Sequence, residues 1–174
     1  MTSSIRLYTL GDFQSDRQIA SLVDFSNEHW PYGGWEAAAF RETDGFAYKL
    51  ELSCVLADVK DNVLGVFIAS QQRERYLKSA IDDYLYIHKI LIDPLYRGHK
   101  VDGRSLFGTM WHFSLEQVEV YDLYSQLLTV DEDNLKAIGI YKKCGFCYMG
   151  DRSYGKILMG RGFPDLSTES YFEI

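Results

Sequence analysis

The amino-acid sequence predicts an α/β protein (mixed α+β), in which one domain is built on a twisted, mixed β-sheet of six to seven strands flanked by helices. The chain has 174 residues, enough for one sizeable hydrophobic core. Runs of alternating apolar residues, typical of strands, are interspersed with runs of helical spacing. Strand–helix–strand units in the second half favour parallel pairing, whereas short turns elsewhere favour antiparallel hairpins.

The first half of the chain switches between the two periods. Ile19, Leu22 and Phe25 lie close to helical spacing, and Pro31 ends that run. From Tyr48 the apolar residues alternate with polar ones, as in a half-buried strand. In order, the predicted elements are a strand over 5–10, a helix over 16–30, a short helix over 35–41, strands over 48–56 and 63–70 joined by a turn, and an inserted loop or short helix over 71–83.

The second half begins with a strand rich in Tyr, Ile and Leu, which Pro94 ends. Asn134 is a good helix N-cap residue, and Gly145 suits the end of the same helix. The predicted elements are a strand over 84–93, a polar turn over 95–102, a helix over 103–118, a strand over 121–130, a helix over 134–145, and closing strands over 146–154 and 156–161. Residues 162–174 show no regular period.

The composition disfavours several classes of protein. A formal net charge of −7 disfavours non-specific binding to nucleic acid and weakly favours a cationic substrate, although such a charge also simply keeps proteins soluble. No apolar run approaches the ~18 residues that a membrane-spanning helix needs, and the first residues lack a signal-peptide pattern. We therefore expect a cytoplasmic protein that binds neither nucleic acid nor membrane.

The cysteines favour a reducing compartment. Their number is odd, and their spacing does not suggest a disulfide framework. Cys144 and Cys147 form a C-x-x-C, but a zinc site needs further ligands and no second pair exists. We interpret both as small packed residues, and we expect no metal.

One segment with chemical meaning covers residues 90–103, where a strand runs into a short turn and then a helix. Such a turn and the first helical residues leave backbone N–H groups without partners, and the helix dipole adds to their attraction for phosphate. Arg97 and Lys100 contribute positive charge. Many proteins contain a junction of this kind, so alone it indicates an anion site without naming the ligand.

A second, more specific segment covers residues 134–146. Asn134 and Tyr141 are seven residues apart, so they lie on one face of a helix, two turns from each other. With the strand before Pro94, this segment makes the chain resemble the GCN5-related N-acetyltransferase (GNAT) family from about residue 84 to residue 154. The residues that match the family pattern are Ile90, Ile92, Pro94, Asn134, Ala137, Tyr141, Gly145 and Phe146.

The resemblance implies an N-acetyltransferase that moves an acetyl group from acetyl-CoA to a primary amine by direct attack in a ternary complex. Backbone groups of Leu91 and Ile92 would hold the pantetheine and polarise the thioester, Asn134 would orient the cofactor, and Tyr141 would protonate the departing thiolate. The implied phosphate loop consists of Arg97, Gly98, His99, Lys100, Val101, Asp102 and Gly103. The acceptor would be a small cationic molecule or a protein amino group.

The phosphate loop departs from the family pattern at two positions. Lys100 and Asp102 stand where the family usually has glycine or alanine. Glycine serves there because the backbone approaches the pyrophosphate closely, and a carboxylate nearby is unfavourable. The alternative function is therefore a non-catalytic relative that binds acyl-CoA weakly or not at all and works by protein contact.

His88 is the sequence's candidate for the general base. A histidine titrates in the right range, and strand alternation is taken to place His88 on the same side as Ile90 and Ile92. The alternative is a hydrogen-bonded strand residue without a catalytic role. Rival candidates for the general base are Asp82, Asp83 and Glu51. Other residues are candidates for lining the acceptor pocket, with ordinary packing as the alternative for each: Tyr84, Tyr86, His29, Trp30, Tyr32 and Trp35. A homodimer that involves Tyr171, Phe172 and Ile174 is left open.

Overall fold

A computed structural model gives the fold and describes residues 4–30, 32–41, 46–72 and 83–162. Its helices are α1 (Asp16–His29), α2 (Ala38–Arg41), α3 (Lys49–Leu52), α4 (Leu106–Val120) and α5 (Leu135–Lys143). Its strands are β1 (Arg6–Thr9), β2 (Cys54–Ala57), β3 (Val63–Gln72), β4 (Tyr84–Ile92), β5 (Lys100–Val101), β6 (Arg104–Ser105), β7 (Gln126–Asp131), β8 (Cys147–Arg152) and β9 (Lys156–Arg161).

Seven of these strands form one mixed sheet, in the order β1-β2-β3-β4-β7-β9-β8. The pair β4–β7 is parallel, because α4 carries the chain back across the sheet between them, and the other pairs in the sheet are antiparallel. Strands β5 and β6 form a separate two-stranded hairpin. The predicted fold class, a mixed sheet flanked by helices, is thereby confirmed.

Each face of the sheet is covered by its own hydrophobic cluster. On one face α4 and α5 pack on the sheet around Leu85, Met110 and Phe146. On the other face α1 and α2 pack around Leu22 and Phe40. Helix α1 begins at a capping box, in which Ser15 and Gln18 satisfy each other's backbone N–H groups. Adjacent residues of the central strands therefore contact different sets of helices.

Several predicted boundaries are wrong, for local reasons. Residues 49–52 form helix α3 rather than the start of a strand, because Tyr48 adopts a left-handed conformation (φ 55°) that interrupts the extended chain. The strand predicted from Tyr121 starts only at Gln126. The helix predicted from Gly103 starts at Leu106.

Other predictions fall outside the described residues or need correction. Cys147 is exposed rather than packed, because β8 is an edge strand. Residues 71–72 belong to β3, whereas the rest of the predicted insertion up to Asp82 lies outside the described residues, as do the tail residues Tyr171, Phe172 and Ile174.

Candidate active site

Strands β4 and β7 separate partway along their length. Their parallel pairing extends from Leu85 to Ile87 on β4, opposite residues 126–128 of β7. Strand β4 continues to Ile92, and β7 continues to Asp131, without further pairing to each other. A gap therefore opens in the middle of the sheet, bordered by the last residues of β4.

The pairing register decides which backbone groups of β4 face this gap. The Asp93 N–H donates to the Leu64 carbonyl of β3 (2.9 Å), and bonded and non-bonded pairs alternate along an antiparallel ladder. Leu91 is therefore hydrogen-bonded to Val66, whereas the N–H and C=O of Ile92 point away from β3. Ile90 is in phase with Ile92, so the residue pair facing the gap is 90 and 92 rather than 91 and 92.

A cleft of about 450 Å³ lies beside the gap, between β4, α4 and α5. Apolar side chains form its inner wall and polar groups its outer end. Its lining residues are Ile90, Ile92, Tyr96, Arg97, Gly98, Ser105, Leu106, Phe107, Asn134, Lys136, Ala137, Ile140 and Tyr141. The geometry thus brings Arg97, Gly98, Asn134, Tyr141 and Ile92 of the predicted site to one cleft.

The N-terminus of α4 opens onto the outer end of this cleft. Ser105 is the N-cap, and its Oγ accepts a hydrogen bond from the Gly108 N–H (3.0 Å). The N–H groups of Leu106 and Phe107 precede the first intrahelical bond, so they have no acceptor within the helix. These donors and the dipole of a 15-residue helix, together with Arg97, suit a phosphate-bearing ligand.

The departure at Lys100 and Asp102 has a structural explanation. Strands β5 and β6 pair Val101 with Arg104, which leaves Asp102 and Gly103 as a two-residue turn. Both turn residues have positive φ (49° and 81°), as a type I′ turn requires, and Asp-Gly is a favoured sequence for it.

Residues 100–104 of this hairpin do not line the cleft, whereas Ser105, at its end, does. Asp102 and Val101 line a different cavity, of about 470 Å³, beside β1. His99 lies before the hairpin, with its ring 5.1 Å from that of Tyr96. Of the predicted phosphate loop, Arg97 and Gly98 therefore line the cleft, whereas His99, Lys100, Val101, Asp102 and Gly103 do not.

Helix α5 brings Asn134 and Tyr141 to the same wall of the cleft. The Asn134 Oδ1 accepts from the Ala137 N–H (3.2 Å), so this side chain caps the helix. Tyr141 packs 6.0 Å from the ring of Phe146. Burial, with a smaller contribution from Cys144, raises the pKa of Tyr141 to about 12. The phenol therefore carries its proton throughout the physiological range.

His88 lies on the opposite face of β4 from Ile90 and Ile92. The β3–β4 register shifts between Ile87 and Lys89, so His88 is the extra residue of a β-bulge. The bulge reverses the alternation, and His88 and Lys89 both line a cavity on the α2 side. The expectation that His88 shares a side with Ile90 and Ile92 is therefore wrong, because a bulge cannot be read from a period of two.

His88 is held in a largely apolar environment. Its Nε2 lies 2.7 Å from the Ser70 Oγ, and its ring contacts those of Phe46 and Tyr86. Burial, and then the positive charges of Lys49 and Lys89, lower the pKa of His88 to about 4. The imidazole is therefore neutral near pH 7, but it is a weak base.

The second cavity, on the α2 side of β4, has a volume of about 290 Å³. It is lined by Trp35, Ala38, Ala39, Phe46, Lys49, Ile68, His88 and Lys89. Strand β4 separates it from the cleft, so two ligands can occupy the two sides of this strand at once.

The other candidate acceptor residues have separate environments. Tyr84 is fully buried, and the Tyr86 hydroxyl lies 3.1 Å from the Thr129 Oγ1. Asp83 accepts from the Gln71 Nε2, Glu51 is exposed, and Asp82 lies outside the described residues. His29 packs edge-on against Phe25, and Tyr32 against Trp30.

Comparison with known proteins agrees with this geometry. The sequence model of the Acetyltransferase (GNAT) family matches residues 19–146, which is most of the chain. The chain belongs to the GNAT family. None of the curated proteins matches it.

Solved structures with the same fold include known acetyltransferases. The NatC complex bound to a Gag peptide and CoA matches with a TM-score of 0.72 at 15% identity, over 92% of this chain and 99% of that one. Naa50 from Arabidopsis thaliana, in complex with the bisubstrate analogue CoA-Ac-MVNAL, matches with a TM-score of 0.66 at 16% identity, with the same coverage. The ribosomal-protein-S18-alanine N-acetyltransferase from Escherichia coli has a TM-score of 0.61 at 14% identity, over 97% of this chain and 99% of that one. At such identities these likenesses establish a shared fold.

Within this GNAT fold, the sequence pattern missed residues on both sides of β4. Ser105 could have been found, since a serine before an apolar helical run signals an N-cap. Lys89 also carried a signal, because it is a charged residue within a largely apolar strand. No sequence signal marks Tyr96, Phe107 and Lys136 as site residues, because their place in the cleft depends on how the helices and strands pack.

Neither a metal-binding cluster nor a membrane-spanning helix occurs among the described residues. No three His, Cys, Asp or Glu side chains among them come together as ligands for an ion. In the same ranges no helix is both long and apolar enough to span a bilayer.

Proposed function

We propose that this protein is an acetyl-CoA-dependent N-acetyltransferase that acts on a primary amine by direct attack in a ternary complex. The observation that carries the proposal is that one cleft holds both the donor-rich start of α4 and the phenol of Tyr141, beside the unpaired edge of β4. An anion site, an apolar channel and a proton donor are the three parts that transfer from a phosphate-bearing thioester requires.

The residues of the cleft fit acetyl-CoA. The N–H groups of Leu106 and Phe107 and the guanidinium of Arg97 would bind its phosphates, and Ile90, Ile92 and Ile140 would line its apolar arm. Acetyl-CoA supplies a thioester whose carbonyl carbon accepts the amine.

Two of the three catalytic tasks can be assigned to groups of the chain. A backbone N–H of Ile90 or Ile92 would stabilise the negative charge that develops on the carbonyl oxygen. Tyr141 would give its proton to the sulfur as the carbon–sulfur bond breaks. The attacking amine must lose a proton, and His88 is too weak a base to keep it, so His88 would at most pass it on to water.

Protein amino groups are the acceptors to test first. Two of the fold relatives were determined with a peptide or a peptide-based analogue, and a third acts on a ribosomal protein. The test is release of CoA from acetyl-CoA with a panel of N-terminal peptides and small amines. Calorimetry with acetyl-CoA separates this proposal from a non-catalytic module, because no binding at millimolar ligand would contradict the enzyme.

Arg97 and Lys100 form a matched pair for testing the phosphate site. Arg97 lines the cleft and Lys100 does not. Because a charge-assisted hydrogen bond contributes about 1.5–3 kcal/mol, Arg97→Gln should weaken acetyl-CoA binding roughly 10- to 100-fold. Lys100→Gln should change the Kd by less than about twofold, because the charge of an exposed residue outside the cleft is largely screened at physiological salt. Calorimetric Kd values check both, and equal losses would contradict the placement of the anion site at α4.

Asp102 provides a second test of the same geometry. Since Asp102 forms the β5–β6 turn and lines a different cavity, Asp102→Gly should leave the Kd for acetyl-CoA within about twofold of the natural protein. Asp102→Val, in contrast, should lower the free energy of unfolding by about 1–2 kcal/mol, because a β-branched residue is strained at φ 49°. Urea unfolding and calorimetry measure the two effects. Markedly tighter binding by Asp102→Gly would show that this carboxylate repels the phosphates after all.

A further inference from the structure

Lys89 is an unusual residue for its place in the fold. It belongs to β4, the central strand that borders both cavities, and it is only partly exposed. Its Nζ lies 3.9 Å from the centre of the Trp30 ring and 3.4 Å from that of Trp35. Two indoles on one ammonium form a strong cation–π arrangement, which fixes the charge in place.

The β-bulge explains how this charge comes to line the second cavity. Without the extra residue at His88, neighbouring side chains would alternate, and only one of His88 and Lys89 would face the α2 side. With it, both do, and Lys49 joins them from α3. The cavity is thus built around an imidazole and two amino groups.

The charge of Lys89 is not balanced by an acidic residue in the described part of the chain. Among the described residues, no carboxylate lines the cavity, and none lies within ion-pair distance of the Lys89 Nζ. Lys49 is already engaged, since its Nζ donates to the Ala39 carbonyl (2.9 Å). Burial lowers the pKa of Lys89 to about 8.

We propose that Lys89 recognises a carboxylate on the acceptor, so that the preferred substrates are amines that carry an acidic group close to the reacting nitrogen. The proposal rests on the acetyltransferase function above and names its substrate class. A cationic acceptor such as a polyamine would instead meet two like charges. The net charge of −7 does not oppose this, because distant surface charges are screened within roughly 8 Å at physiological salt.

The position of Lys89 limits how far the carboxylate lies from the amine. Lys89 immediately precedes Ile90, whose backbone faces the gap where the amine would react. An extended chain advances about 3.3 Å per residue, so the acidic group belongs to the reacting residue or to one of the next two. Two sources offer this chemistry: the carboxylate of a free amino acid, and an acidic side chain near a peptide N-terminus.

The experiment compares matched acceptors in both forms. One arm uses the C-terminally amidated peptides Met-Glu-Leu-Leu and Met-Gln-Leu-Leu, and the other uses leucine and leucinamide. The kcat/KM for CoA release is measured with the natural protein, Lys89→Met and Lys89→Arg. The readout is the ratio of kcat/KM for the acidic acceptor to kcat/KM for its amide counterpart, compared between the natural protein and each variant. Differences in basicity between the two amines cancel in this comparison, because they are the same for every variant.

We expect Lys89→Met to lower that ratio roughly tenfold in at least one arm, the size of effect that one charge-assisted contact gives. Lys89→Arg should retain most of the preference, which loss of packing alone would not allow. The arm that responds identifies the source of the carboxylate. The proposal would be overturned if Lys89→Met left the ratio unchanged in both arms. It would also be overturned if both the natural protein and Lys89→Met preferred the amides.

A binding measurement keeps this result separate from the acetyltransferase proposal. Trp30 and Trp35 flank Lys89, so their fluorescence should report ligands in this cavity, while Trp111 on α4 gives a constant background. The N-acetylated Met-Glu peptide should bind roughly tenfold more tightly than its Met-Gln counterpart, and Lys89→Met should remove the difference. Equal binding of the two peptides would contradict carboxylate recognition. If no amine releases CoA, the enzyme proposal fails, yet the titration still decides whether the cavity selects a carboxylate.

Discussion

Replacing Tyr141 with phenylalanine is expected to lower kcat by roughly 10²- to 10³-fold, the contribution typical of a positioned general acid. The Kd for acetyl-CoA should stay within about twofold, because phenylalanine keeps the ring that lines the cleft and loses only the hydroxyl. Tyr141 is the residue of the matched helix pattern whose side chain can donate a proton inside the cleft. Steady-state assays of CoA release measure kcat, and calorimetry measures the Kd for acetyl-CoA.

The raised pKa of Tyr141 adds a condition to this prediction. A phenol with a pKa of about 12 stays protonated at every pH at which the protein is assayed, so Tyr141 should not contribute an alkaline limb to the rate below that pH. Tyr124→Phe is the matched control, since this tyrosine is exposed and lies outside the cleft. If Tyr141→Phe retains full kcat, water or another residue protonates the sulfur, and Tyr141 has only a packing role.

The sequence predicted the fold class and the helix from Asn134 to Tyr141 well, because both depend on local signals. An N-cap residue, a helical period and a closing glycine act within a few residues of each other. The boundaries failed where one backbone angle decides the outcome. Tyr48 in a left-handed conformation converts an apparently alternating segment into helix α3, and no pattern of hydrophobicity reports such an angle.

The phosphate loop and the bulge at His88 show a different limit of prediction from sequence. Matching Lys100 and Asp102 to family positions assumes that the loop has the usual length and path. The Asp-Gly pair was a recognisable hairpin signal, which would have removed both residues from the cleft. The bulge at His88 could not have been found in this way, because it depends on pairing between β3 and β4. Its consequence is large, since it places both His88 and Lys89 on the α2 side of β4.

His88 is expected to make the protein markedly less stable in acid. Its pKa is about 4 in the folded protein, lowered first by burial and then by Lys49 and Lys89, against about 6.5 in an unfolded chain. Between these values the unfolded chain binds a proton that the folded protein does not, so stability falls as the pH decreases from 6.5 to 4. Linkage gives a loss of about 3 kcal/mol over that window from this residue alone. At pH 7 and above the loss is absent.

His88→Gln isolates this contribution, because glutamine does not titrate and can still hydrogen-bond to Ser70. Urea unfolding at pH 7 and pH 4.5 should show that the natural protein loses about 2–3 kcal/mol more than the variant, since the carboxylates common to both cancel in the difference. A histidine NMR titration gives a direct check, with a midpoint expected near 4. A midpoint near 6.5 with equal acid losses would show that His88 is solvated rather than buried. It would also restore His88 as a general base, because an imidazole of ordinary basicity can keep the proton that the acceptor amine must lose.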